Sequence, residues 1–288
     1  MRRLQLLTLV LGALTACAAR ADSTGGKLIQ TGGVVQLEGQ GGGGFTPWAL
    51  ISGYGTDDQI GANGHITQIR LRNFRYGSSG ARVGIDDRVE LSFAEQRFYT
   101  EAAGTTLGLA SDFRFGQDIV GLKVRLCGHA VYDQDTWKPQ LSIGAQFKQA
   151  DQGTLLRALG AKSTSGTDVY VSATKIALQS SLLWNATLRL TRANQMGLLG
   201  FGGDKQNSAQ LVFEGSLAYL PTRRTAVGIE YRDHPDNLVF ARQETYKDVF
   251  CALFPCKNLS ITLAYVDLGS IATFNEQNGG YLSVQTGF

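Results

Sequence analysis

The residues best placed to do chemistry are two basic pairs, Arg70 with Arg72 and Lys123 with Arg125, each two positions apart. In an extended chain that spacing points both side chains of a pair at one face. Arg88, Lys148, Arg189 and Arg232 fall on polar faces of other alternating segments, opposed by Glu90, Glu214 and Glu230. Gathered around one interior, such an array would set a positive field that favours anions or acidic solutes. Read the other way, the same groups form an ion-pair network that fills a narrow interior and passes nothing. Groups for covalent catalysis are scarce. The histidines are His65, His129 and His234, and there is no G-x-S-x-G elbow, so no catalytic residue is assigned and the three read as solvated loop groups. Cys127 and His129 share the two-residue spacing without a third or fourth ligand, so neither a metal nor another cofactor is expected. Cys251 and Cys256 flank Pro255 and would suit a small disulfide in an oxidising compartment.

The elements that must position these groups read as strands. Leu141, Ile143, Ala145 and Phe147 oppose Gln140, Ser142, Gln146 and Lys148, and Leu259, Ile261, Leu263 and Tyr265 oppose Ser260, Thr262 and Ala264. A helix would need a period near 3.6. Twelve such segments are expected near 48–55, 65–76, 82–95, 118–127, 139–149, 168–178, 182–192, 208–220, 225–233, 246–254, 258–268 and 280–288. Their connections alternate in length. Gly77-Ser78-Ser79-Gly80, Gln179-Ser180-Ser181, Pro221 to Arg224 and Pro255-Cys256-Lys257 are short, whereas those near 100–117, 150–167, 193–207, 234–245 and 269–279 are long. The expected fold is all-β: a closed antiparallel transmembrane β-barrel of about 12 strands, with short turns on one rim and long loops on the other. A soluble β-sandwich is the competing architecture. Aromatic residues near strand ends, among them Trp48, Tyr76, Trp184, Tyr219, Tyr231 and Tyr265, would form interfacial girdles.

Residues 1–21 read as a secretory signal peptide: Arg2 and Arg3, an apolar run from Leu4, then Ala19-Arg20-Ala21. Leu14-Thr15-Ala16-Cys17 is a rival lipobox reading in the same stretch. The leader holds three of the 27 basic residues, so the remainder has 24 against 24 acidic ones and offers nothing to nucleic acid. Residues 22–47 are a Gly-rich segment, read as a lumenal plug, a flexible tail or an extra strand, and 48–288 are the barrel. At the other end Leu282, Val284 and Phe288 occupy alternate positions on one face, the pattern of a signal for the barrel-insertion machinery, with Thr286 where an aromatic is usual.

Gly25-Gly26-Lys27-Leu28-Ile29-Gln30-Thr31-Gly32-Gly33-Val34, Gly41 to Ala49, Gly53-Tyr54-Gly55-Thr56, Asp118 to Lys123, Val131 to Asp135, Ala193-Asn194-Gln195 with Gly200 to Gly203, and Ala264 to Gly269 resemble a family of uncharacterised proteobacterial proteins known only as a domain of unknown function. The resemblance implies a signal-bearing envelope barrel and carries over no activity or site. The expected function is that of a monomeric outer-membrane channel or uptake protein for a small, possibly acidic, solute, with membrane lipid as its surroundings. The alternative is a non-conducting envelope protein that organises a partner through its external loops.

Overall fold

A computed structural model describes residues 34–53 and 60–287. Its wall is made of twelve strands: β1 (Ile60–Leu71), β2 (Arg75–Ile85), β3 (Val89–Tyr99), β4 (Arg114–Cys127), β5 (Gln140–Ala150), β6 (Ser165–Ala177), β7 (Leu182–Thr191), β8 (Gln210–Thr222), β9 (Thr225–Arg232), β10 (Tyr246–Cys256), β11 (Leu259–Asp267) and β12 (Asn278–Gly287). Each pairs antiparallel with its neighbours in sequence, and β1 pairs with β12 to close the barrel. Alternation sorts the side chains. On β5, Gln140, Ser142, Gln146 and Lys148 are buried inside, while Ile143 and Phe147 are exposed outside. Leu91, Phe93, Val120, Leu122, Leu188, Leu217, Ile229 and Leu263 continue that outer apolar band. A band of this extent, closed on itself, is a surface for lipid rather than water.

One rim carries the start of β1, the end of β12 and the connections 86–88, 178–181, 223–224 and 257–258, with 128–139 as its one long member. The opposite rim carries 100–113, 151–164, 192–209, 233–245 and 268–277, with 72–74 as its one short member.

Twelve strands are found, but the first three lie elsewhere than expected. Residues 48–53 are not a strand, and Gly77-Ser78-Ser79-Gly80 is not a turn but the middle of β2. The small residues there reflect crowding. A Cβ on Gly80 would lie 2.2 Å from the Phe93 carbonyl oxygen, and Ser78 Oγ donates to the Leu37 carbonyl at 2.6 Å. The true β2–β3 turn is marked by Asp86 (φ 52°) and Asp87 (φ 48°), a left-handed conformation that Asp tolerates. Trp48 and Tyr76, assigned to girdles, are buried inside the barrel. Leu282 and Val284 do face outward beside Ile261. Phe288, the leader with Cys17, and Tyr54 lie outside the described residues.

Candidate functional site

Residues 34–53 fill the lumen. The segment enters from the short-turn rim, turns at Gln36 to Gly44, and leaves toward β1; Val34 to Ala49 are all buried. Its fold is held by backbone hydrogen bonds, Leu37 N to Gly44 O at 3.0 Å and Gly42 N to Val34 O at 2.9 Å. Other backbone groups bond to the wall. Gly41 N donates to Glu90 Oε1 and Phe45 N to Glu230 Oε2, at 2.9 and 2.7 Å. Ala49 N donates to Thr174 Oγ1 at 2.7 Å, Trp48 Nε1 donates to Ser216 Oγ at 2.9 Å, and the Pro47 carbonyl accepts from Asn185 and Thr187. A buried chain without regular secondary structure must find a partner for each N–H and C=O. Here the polar inner face of the barrel supplies many of them.

Glu38 is the electrostatic centre. Its carboxylate accepts from Lys148 Nζ and from both terminal nitrogens of Arg232 at 3.0 Å, and lies 3.4 Å from Arg189 Nη2. Arg189 and Arg232 also reach Glu214, and Lys148 and Arg189 reach Asp168. A second centre joins Lys123 Nζ to Glu90 Oε1 at 3.1 Å and to the Leu50 carbonyl at 2.8 Å. Burial raises the Glu38 pKa, but Arg232, Lys148 and Arg189 outweigh it and hold the carboxyl well below 4.5. A carboxylate depressed on folding stabilises the folded arrangement above its ordinary pKa and loses that effect only as pH falls through the folded value. Acidification from pH 7 to about 5 is therefore expected to leave the segment seated, with release confined to pH well below 4.5. Protease protection of residues 34–53, measured across that range, checks this.

Eight of the eleven charged groups assigned to the interior are there: Glu90, Lys123, Arg125, Lys148, Arg189, Glu214, Glu230 and Arg232 are all buried. Arg70, Arg72 and Arg88 are not. Arg70 projects from the outer face of β1, Arg72 sits in the 72–74 turn paired with Glu276 at 2.9 Å, and Arg88 sits in the 86–88 turn, all three exposed. Arg72 and Arg88 lie beyond the strand ends, and Arg70 points outward because Ile69 and Leu71 beside it face the buried apolar cluster inside. Glu38, Arg82, Asp168 and Asp248 were missed, and with them the expected positive excess disappears. Among the described residues the lumen holds six buried cations (Arg82, Lys123, Arg125, Lys148, Arg189, Arg232) and six buried acids (Glu38, Glu90, Asp168, Glu214, Glu230, Asp248). Glu38 had a signal of its own, being the sole acid between Gly25 and Gly44.

The histidines are not the solvated loop set expected. His65 lies mid-strand on β1, buried, with Nε2 3.2 Å from Ser78 Oγ. Ser78 spends its proton on the Leu37 carbonyl, so this is no base-activated nucleophile. His234 stacks on Tyr246, and burial followed by the nearby Arg232 pushes its pKa well below 6.5, so it is neutral at pH 7. Cys251 is a free thiol. Cys251 and Cys256 occupy one strand five residues apart, a span of about 16 Å, far beyond disulfide reach.

Residues 31–285 match a family model described as protein of unknown function, DUF3034. The chain belongs to that family. No curated protein matches it in sequence. Among solved structures it resembles the KdgM porin, at 8% identity and a TM-score of 0.51 over 78% of this chain and 99% of that one. The NanC porin gives 9% identity and 0.48 over 79% and 98%, and the Acinetobacter baumannii outer membrane protein Omp33 gives 8% and 0.43 over 81% and 100%. At such identity the KdgM likeness concerns the fold: this member of the family is an outer-membrane-type barrel.

Proposed function

We propose that the protein is an outer-membrane uptake barrel for a small solute, held shut by its own residues 34–53, which must shift for anything to pass. The short-turn rim then faces the periplasm and the long-loop rim the exterior. The observation that carries this reading is the seating of Glu38 on Lys148, Arg189 and Arg232 across the middle of the lumen. A structural core alone would be better served by apolar filling, since replacing a buried ion pair with well-packed apolar groups is often neutral or stabilising. A charged plug docked on a polar wall can instead exchange its ion pairs for water when it moves. The KdgM porin has been solved in complex with oligogalacturonate. That acidic ligand is not extended to this chain, whose lumenal cations are matched by acids.

A reversible lock tests the reading. Thr46 Oγ1 and Ser216 Oγ are in contact, so cysteines at these two positions place their sulfurs within bonding reach. In planar bilayers the reduced Thr46→Cys/Ser216→Cys protein is expected to show openings that oxidation abolishes and reductant restores. Openings that persist in the oxidised protein, with the cross-link verified by mass spectrometry, would refute movement of the segment. Silence in both states favours the non-conducting envelope protein.

A further inference from the structure

Above the charged belt the lumen changes character. The five long loops fold inward over the mouth instead of projecting, and their apolar side chains join wall residues such as Ile69, Phe115 and Tyr246 in one buried cluster. Inside it is a cavity of about 100 Å³. Leu107 and Leu155 come from two of the loops, Met196 and Leu199 from a third, and Phe240 and Ile271 from the remaining two. None of its lining side chains is charged. The polar members are few, and the Tyr246 hydroxyl is already committed to Gln195 Oε1 at 2.5 Å.

We infer that this cavity is the receiving site for a small uncharged apolar solute, about the size of a single aromatic ring. The size follows from the volume. An engineered apolar cavity of about 150 Å³ stays dry and takes up benzene. The absence of charge follows from the lining, because a carboxylate or ammonium placed there would lose its hydration with no ion partner to replace it. A mouth built to pass ions or sugars would keep polar groups in that position.

The cavity floor also touches the latch below. Met196 lines the cavity, and its carbonyl accepts from Lys148 Nζ and Gln117 Nε2, both at 3.2 Å. Lys148 is one of the three cations on Glu38. Gln195 (φ 47°) and Met196 (φ 60°) are both left-handed, a conformation uncommon for residues other than glycine. A solute that displaces Met196 therefore acts on a hydrogen bond shared with the plug, through a backbone already held away from its preferred region.

The inference deepens the uptake reading, but its test stands apart from that reading. The full-length protein in lipid nanodiscs is photolabelled with trifluoromethyl phenyl diazirine, a one-ring apolar carbene precursor, and adducts are mapped by mass spectrometry. Adducts are expected on Leu107, Leu155 and Met196 and should be lost in excess toluene, whereas adducts on the lipid-facing Phe93 and Val120 should remain. Met196→Trp and Leu155→Trp, which fill the cavity from different loops, should each lose the cavity adducts and keep the outer ones, showing that the barrel is folded. Labelling confined to the lipid face, or cavity labelling that toluene does not displace, would overturn the site. Equal competition by benzoate would overturn its restriction to uncharged solutes. Saturable labelling in a protein that is silent both reduced and oxidised would retire the uptake reading and leave the site; a working lock without cavity labelling would do the reverse.

Discussion

Glu38→Ala is expected to convert a closed barrel into one with long-lived openings. The wild-type carboxylate balances Lys148, Arg189 and Arg232, none more than 2% exposed. Removing one partner from a buried ion pair costs about 3–5 kcal/mol, because the remaining charge is left desolvated. The wall cannot relax away from its own cations, since β5, β7 and β9 are each hydrogen-bonded to a neighbouring strand on both sides, with irregularities only at Arg125–Cys127 and Tyr219–Thr222 near the short-turn rim. The segment can. Its departure admits water, which hydrates the cations and screens them over roughly 8 Å at physiological salt. The exposed wall then carries the six cations already named against five acids, so the open state should favour anions modestly. Glu38→Gln, which keeps the shape and loses the charge, should show the same change to a smaller extent. Single-channel recording decides the matter: a Glu38→Ala barrel as quiet as the parent, with its native heat-modifiable gel mobility, would remove Glu38 from the latch.

Gly42→Val is expected to reach the same open state without altering any charge. A Cβ at Gly42 would lie 2.1 Å from the Thr46 carbonyl oxygen and 2.8 Å from the Pro47 Cα. Both are backbone atoms of the same tight fold, which the Gly43 N to Thr46 O bond of 2.9 Å holds in place. No side-chain rotation relieves such a contact, and overpacking of this kind costs about 1–3 kcal/mol or more. The collision is internal to the segment, so the barrel should assemble normally while the plug fails to seat. Gly280→Ala is the control, since a Cβ there meets nothing within 4 Å. The wall left behind is the same as in Glu38→Ala, so ion preference should match between the two variants. Openings in Glu38→Ala without openings in Gly42→Val would mean that the charge, rather than the seating of the segment, controls conduction.

The barrel was legible because its main signal is local: Leu141 to Lys148 and Leu259 to Tyr265 alternate without interruption, and each alternation survives as outside and inside in the structure. Registration of the first three strands was not legible, because period two has no phase marker. Gly77 to Gly80 mimicked a turn while serving as a thin stretch of wall beneath Leu37, and Arg70 was turned to the wrong face because its neighbours Ile69 and Leu71, apolar as a lipid face would be, belong to the cluster inside the barrel. The interior was half legible. Lys148, Arg189 and Arg232 followed from parity, but their counter-charge on Glu38 lies 110 or more positions away in sequence, and nothing local to either partner announces the pairing. The inward fold of the long loops was invisible for a related reason. Gln195 and Met196 adopt their left-handed backbone only within the tertiary setting around them.

The order in which the chain is made conflicts with the order in which this lumen can be completed. Residues 34–53 precede every strand, yet Val35 N bonds to Gln285 Oε1, 250 positions later, and Phe45 N to Glu230, 185 positions later. β1 meets β12 through the same late closure. Contacts of such separation are slow to form. The first described residues therefore wait for the last, and each side of the seam needs the other. A cylinder closed without its filling would have its rings of Arg, Lys, Asp and Glu facing bare water; a filling without its cylinder has no regular structure of its own to hold it. The filling and the seam are thus completed together, because Gln285, on the strand that closes against β1, is also the residue that takes the Val35 N–H.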